Sequence, residues 1–92
     1  MKIRIFQIGG TMNDTFIGIA NDPTTLRSLI ALAELRGASG VSMHGTMPHR
    51  REAVSGEFTL SEATSQCRQA DKAISDMIMD GMAPEFAMMD MD

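Results

Sequence analysis

Tryptophan and tyrosine are absent from this chain, and cysteine occurs once. Four phenylalanines are the whole aromatic content. That leaves little for stacking on bases and argues against a dedicated single-strand binder. The lone Cys67 excludes an intramolecular disulfide and a cysteine-based zinc site. It fits a reducing compartment. No stretch approaches the roughly 20 apolar residues of a membrane span. The apolar part of the opening MKIRIFQIGG is too short for a signal peptide and reads as a strand. The expectation is a soluble cytoplasmic protein that does not enter a membrane.

What is present is an ordinary globular composition in 92 residues, 43% hydrophobic and 22% charged. One domain with a modest core is expected at this length. The net charge of −4 is unevenly spread. Residues 1–70 carry seven Lys/Arg and six Asp/Glu, whereas residues 71–92 carry Lys72 against Asp71, Asp76, Asp80, Glu85, Asp90 and Asp92. The first part is therefore +1 and the second −5. Free duplex DNA is disfavoured as a partner, because phosphate neutralisation needs a basic face. A basic protein surface is the more natural one.

Lys2 to Ile8 is rich in β-branched residues and alternates, with Ile3 and Ile5 on one face and Phe6 and Ile8 on the other. Gly9-Gly10 and Asn13-Asp14 supply turn chemistry, and Thr15 to Ala20 reads as the return strand of a hairpin. Asp22 and Pro23 then mark a helix start. The helix is predicted from about Pro23 to Arg36, with Leu26, Leu29, Ile30 and Ala33 inward, Leu32 and Leu35 widening that face, and Gly37 closing it. Gly40 to Met47 and Ala53 to Thr59 are predicted strands, with a bulge expected near Ser55-Gly56. Thr59-Leu60-Ser61-Glu62 matches a capping box, with Ser61 as an alternative cap.

The second helix is predicted to run to about Asp80, ended by Gly81 and Pro84. Ala63, Cys67, Ala70, Ile74 and Met77 form its apolar stripe, and the small early residues permit close approach to a neighbour. The order ββαββα predicts an α+β fold, an antiparallel four-stranded sheet with both helices on one face. A pairing of hairpin and helix across a dimer is the architectural alternative. Residues 1–81 are assigned to this domain. Residues 82–92, after Gly81, are assigned to a Met/Asp-rich tail, with six of the ten methionines lying between Met77 and Met91.

Candidate chemistry is sparse. His44 and His49, with Glu52, do not have a known metal-ligand spacing. Cys67 sits on an apolar stripe, which implies a buried and inert thiol. Gly9-Gly10-Thr11 follows a strand but lacks the spacing of a phosphate loop, so a simple turn is expected. Met88, Met89 and Met91 are soft ligand types for Cu(I), but an adaptable contact surface is the plainer reading. No cofactor, no metal and no catalytic residue is therefore expected, and the chain is read as non-enzymatic. Three contact surfaces remain. His49, Arg50 and Arg51 form a basic loop suited to phosphate or carboxylate. Asp71, Asp76 and Asp80 form an acidic set on the second helix, which is also how a solvated helix side would look. Met82, Phe86, Met88 and Met89 make the tail an adaptable contact.

The size, the opening strand MKIRIFQIGG and the ββαββα layout with an acidic final helix together resemble small phage-encoded anti-CRISPR proteins, especially inhibitors of type I surveillance complexes. That resemblance implies a stoichiometric inhibitor without a cofactor, acting in the bacterial cytoplasm. It would dock on Cas subunits, with guide RNA as a further contact, and block target DNA binding or nuclease recruitment. The second reading of the residues is a small dimeric regulatory or antitoxin-like interaction module, held together through the apolar stripes.

Overall fold

Alternating burial along Lys2–Ile8 opens the chain as strand β1, with Ile3, Ile5 and Gln7 inward. A turn returns it as β2 (Phe16–Ala20). Helix α1 (Pro23–Leu35) follows, then a second hairpin of β3 (Gly40–Thr46) and β4 (Val54–Thr59), then helix α2 (Leu60–Met91). This computed structural model describes the backbone of residues 1–11 and 13–91 and the side chains of residues 1–11 and 13–78. All strand pairs are antiparallel and the sheet order is β2-β1-β3-β4. The first strand of each hairpin therefore lies inside the sheet and the second lies at an edge. The fold is the α+β arrangement that the element pattern predicts.

Local chemistry starts both helices. At α1 the Thr25 amide donates to Asp22 Oδ1 at 2.7 Å and the Thr25 hydroxyl to Oδ2 at 3.1 Å, with Pro23 in the first turn. At α2 the predicted capping box forms in full. The Glu62 amide donates to Thr59 Oγ1 at 3.1 Å, and the Thr59 amide donates to Glu62 Oε1 at 3.0 Å. Gly37 adopts φ +77° after α1, the left-handed turn expected there.

One apolar cluster joins the layers. Ile3 and Ile5 from β1, Ala20 from β2, Val41 and Met43 from β3 and Val54 from β4 meet Leu26, Ile30 and Ala33 of α1 and Ala63 and Cys67 of α2. Because these strand residues share one face, both helices cover that face and leave the other open. The small stripe Ala63, Cys67, Ala70 is fully buried. It lets α2 approach α1 closely enough for the Cys67 thiol to donate to the Pro23 carbonyl at 2.9 Å.

Four local expectations differ from the structure. The bulge is not near Gly56: β3 and β4 pair in continuous register from Gly40↔Thr59 to Gly45↔Val54. It lies instead between β1 and β2, where the register shifts between Ile5 and Phe6. Leu35 is 86% exposed rather than inward, because at about 100° per residue it lies on the opposite side of α1 from Leu26. The stripe of α2 is buried only as far as Ala70, and Met77 is 66% exposed. Finally, α2 continues past Asp80 to Met91, so Gly81 and Pro84 lie within it. Helix propensity sets a cost for such residues rather than a stop. No helix among the described residues is long and apolar enough to cross a membrane.

Candidate functional site

The open face of the sheet carries Lys2, Arg4, Phe6 and Ile8 from β1, Ser42 and His44 from β3, and Ser55 and Glu57 from β4. Cross-strand register arranges them in rows. One row reads Ile19, Arg4, His44, Ser55; the next reads Phe16, Phe6, Ser42, Glu57. Phe6 lies at the centre. Its ring centroid is 5.3 Å from that of Phe16, tilted by 59°, and 5.9 Å from the His44 ring, nearly edge-on at 74°. The Arg4 guanidinium carbon stands 5.7 Å from the Phe6 centroid, within cation–π range. Phe16 is 47% exposed and Ile19 is 44% exposed.

Phe16 reaches this face only through the bulge. Strict alternation along β2 would set Phe16 beside Gly18 and Ala20 on the helix-covered face. Ala20 pairs with Ile3 and Gly18 with Ile5, but Phe16 then pairs with Phe6 rather than with Gln7. Ile17 is the extra residue, and it packs against the buried cluster. The bulge thus exchanges the two side chains, sending Ile17 inward and Phe16 outward.

His44 is held from both sides. Its Nε2 is 2.5 Å from Ser42 Oγ and its Nδ1 is 3.1 Å from Ser55 Oγ. A neutral imidazole donates through one nitrogen and accepts through the other, and each hydroxyl can rotate to match. A serine hydrogen-bonded to a histidine is also the start of a nucleophile–base pair. Acyl transfer further needs free N–H donors aimed at a developing oxyanion. Here β3 is paired on both sides, so its amides serve the ladder. The two hydroxyls fix the orientation of the ring on the open face.

The basic loop after β3 divides into two parts. His49 Nε2 bonds to Gln66 Oε1 of α2 at 2.7 Å, and its Nδ1 is buried with no hydrogen-bond partner. His49 therefore pins the loop to α2. Arg50 and Arg51 are exposed, and the Arg50 amide closes a turn on Met47 O at 3.2 Å. Because Lys2 pairs with Thr46, this loop leaves the sheet at the end that carries Lys2. The structure leaves Arg50 and Arg51 exposed in the loop at the Lys2 end of the sheet and separates His49 from them in role.

Asp71 and Asp76 are both exposed, yet at about 100° per residue they point about 140° apart around α2. They are surface acids on different flanks rather than one ridge. The side chains of Asp80, Met82, Phe86, Met88 and Met89 lie outside the described residues. Cys67 is fully buried, and burial pushes its thiol above the ordinary range, partly offset by Arg27. Gly9 and Gly10 form a turn at φ +81° and +74°, and the Gly9 amide is taken by Asn13 Oδ1 at 2.6 Å. Among the described residues no three His, Cys, Asp or Glu side chains are grouped to hold a metal ion.

The cluster of Phe6, Phe16, His44 and Arg4 is what sequence reading missed. Arg4 and Phe6 at alternate positions were visible, but Phe16 depends on the bulge and His44 on strand order. Together they make an uncovered sheet face that is aromatic and basic. Comparison of the chain with protein-family models, with curated proteins and with solved structures finds no match.

Proposed function

We propose that this chain is a non-enzymatic inhibitor that docks on a nucleic-acid-handling complex. The observation that carries the reading is the opposite charge of helix α2 and the open sheet face. By sequence, helix α2, which begins on the covered side and outruns the sheet, contains Glu62, Asp71, Asp76, Asp80, Glu85 and Asp90 against Arg68 and Lys72. The open face presents Lys2 and Arg4 against Glu57, and Arg50 and Arg51 lie beside Glu52 in the loop at the Lys2 end of the sheet. An assembly of basic protein subunits around a phosphate backbone offers a partner for each layer. A type I surveillance complex, the target implied by the resemblance to anti-CRISPR proteins, is an assembly of that kind. Docking there would obstruct target DNA or the recruited nuclease without chemistry.

The test is a tagged pull-down from bacterial lysate carrying an active type I CRISPR system, with mass spectrometry and a nucleic-acid stain of the eluate. Co-elution of Cas subunits with guide RNA is the expected result. Recovery of the bait alone, or of one toxin-like protein, overturns it.

A second reading, a dimeric regulatory module, is favoured by one feature. Met77 and Ile78 of α2 are 66% and 55% exposed, where the apolar stripe outruns the sheet. Sedimentation equilibrium decides between the two, since a monomer at micromolar concentration removes the dimeric module.

A further inference from the structure

We infer that the open face of the sheet is a stacking platform for single-stranded nucleic acid. This inference rests on the docking reading above and names the component of the complex that the sheet face takes. Phe6 and Phe16 stand side by side on neighbouring strands with no helix over them. Each base has a π-face that can stack on such a ring, so the contact tolerates any sequence. Lys2 and Arg4 precede Phe6 at alternate positions of β1 and so share its face. They sit where a backbone running along β1 would place its phosphates, and Arg50 and Arg51 continue the charge beyond the end of the sheet. Ser42 and Ser55 each spend one hydrogen bond on the His44 ring and keep hydroxyl capacity that can meet base edges or a 2′-hydroxyl.

Few aromatics argue against such a role on composition alone. Placement changes that conclusion, because two of the four phenylalanines occupy one open face next to a cation. Charge also selects the occupant. The chain is −4 overall, yet this face and its adjoining loop carry Lys2, Arg4, Arg50 and Arg51 against Glu52 and Glu57. A second copy of the chain seated here by two-fold symmetry would bring Arg4 and Lys2 against a face of like charge. Duplex DNA is a poor fit, since a flat sheet face inserts no element into a groove.

The experiment is fluorescence anisotropy of the full chain with labelled oligonucleotides of about 12 nucleotides. Single-stranded RNA, single-stranded DNA and a duplex of the same sequence are compared at about 50 and about 200 mM salt. The expected result is binding of single strands at about 1–100 μM in the lower salt, and binding of the duplex at least about ten-fold weaker. Phe16→Ala should weaken single-strand binding by about five-fold or more. Arg4→Glu should weaken it and flatten the salt dependence. Circular dichroism of both variants verifies that they fold, and Phe16→Leu serves as a second variant that keeps the apolar volume but removes the ring. RNA preferred over DNA points to a 2′-hydroxyl contact at Ser42 or Ser55; equal binding points to stacking and phosphate alone.

Absence of single-strand binding overturns the inference, as does binding that Phe16→Ala, Phe16→Leu and Arg4→Glu all leave unchanged. A dimer in sedimentation that Phe16→Ala dissociates overturns it too, by giving the face to a second copy. A chain that captures the Cas complex but binds no oligonucleotide loses this inference alone. One that binds oligonucleotide but captures no complex loses the docking reading.

Discussion

Phe16 pairs with Phe6 across β1 and β2 at the point where the register shifts, ring centroids 5.3 Å apart. The pair lies on the uncovered side of the sheet, so removing one ring opens no cavity in the core. Phe16→Ala is expected to change folding stability by less than about 1 kcal/mol. Urea unfolding followed by far-ultraviolet circular dichroism checks this. A loss of several kcal/mol would mean that the ring belongs to the core.

Ile5 and Leu35 test the core boundary. Ile5 is fully buried in the cluster that joins both helices to the sheet, while Leu35 is 86% exposed. Ile5→Ala should cost about 2–5 kcal/mol, because the cavity it leaves can collapse only partly. Leu35→Ala should stay within about 0.5 kcal/mol. Paired denaturation curves with equal slopes measure the difference.

Gly45 and Gly56 share an unusual backbone conformation, at φ +147° and +153°, but not the same surroundings. A Cβ at Gly45 would run into the Lys2 carbonyl oxygen, whereas at Gly56 it meets nothing within 4 Å. Both alanine variants carry backbone strain, and only Gly45→Ala adds a clash with the neighbouring strand. Its melting temperature should fall clearly below that of Gly56→Ala, by a margin worth more than about 1 kcal/mol. Equal melting temperatures would contradict the β1–β3 register Ile3↔Gly45.

The helix caps set a dependence on acid. The Thr25 backbone amide and then its hydroxyl hold the Asp22 carboxyl below its ordinary value, and those of Thr59 do the same for Glu62. Both pKa values are lowered on folding, so the unfolded chain takes up protons first as pH falls. The stabilisation is complete above the ordinary carboxylate range and is lost from about pH 4.5 downward, through the lowered folded values. Glu62→Gln should therefore show a shallower loss of melting temperature between about pH 6 and about pH 3 than the parent chain. Parallel profiles would remove Glu62 as a contributor.

Cys67 offers a readout of the helix–helix contact. Its thiol is buried, pushed upward in pKa and engaged with the Pro23 carbonyl. Reaction with a chromogenic disulfide reagent should be negligible in the native protein and reach one thiol per chain on unfolding. Rapid native labelling would show that α2 separates from α1 without global unfolding.

The order of elements was legible in the sequence because its signals are local. Alternation placed β1 at Lys2–Ile8, Asp22-Pro23 started α1, and Thr59 with Glu62 started α2. Each depends on residues within about one turn or one strand of one another. The apolar spacing of α2 likewise marked Ala63, Cys67 and Ala70 as the face that α1 meets. What the sequence left open depends on contacts between segments. Gln7 is wholly buried on the core face, its Nε2 donating to Gly9 O at 3.0 Å, because the turn folds back over it. His49 binds Gln66, 17 positions away, so its role is set by where α2 lies over the loop. Phe16 points outward because one residue is inserted opposite β1, and a slip of one residue reverses a side chain's face. Local propensity therefore determined the elements. Strand pairing and helix placement decided which aromatic, basic and hydroxyl groups share the open face, because that depends on register between chain segments distant in sequence.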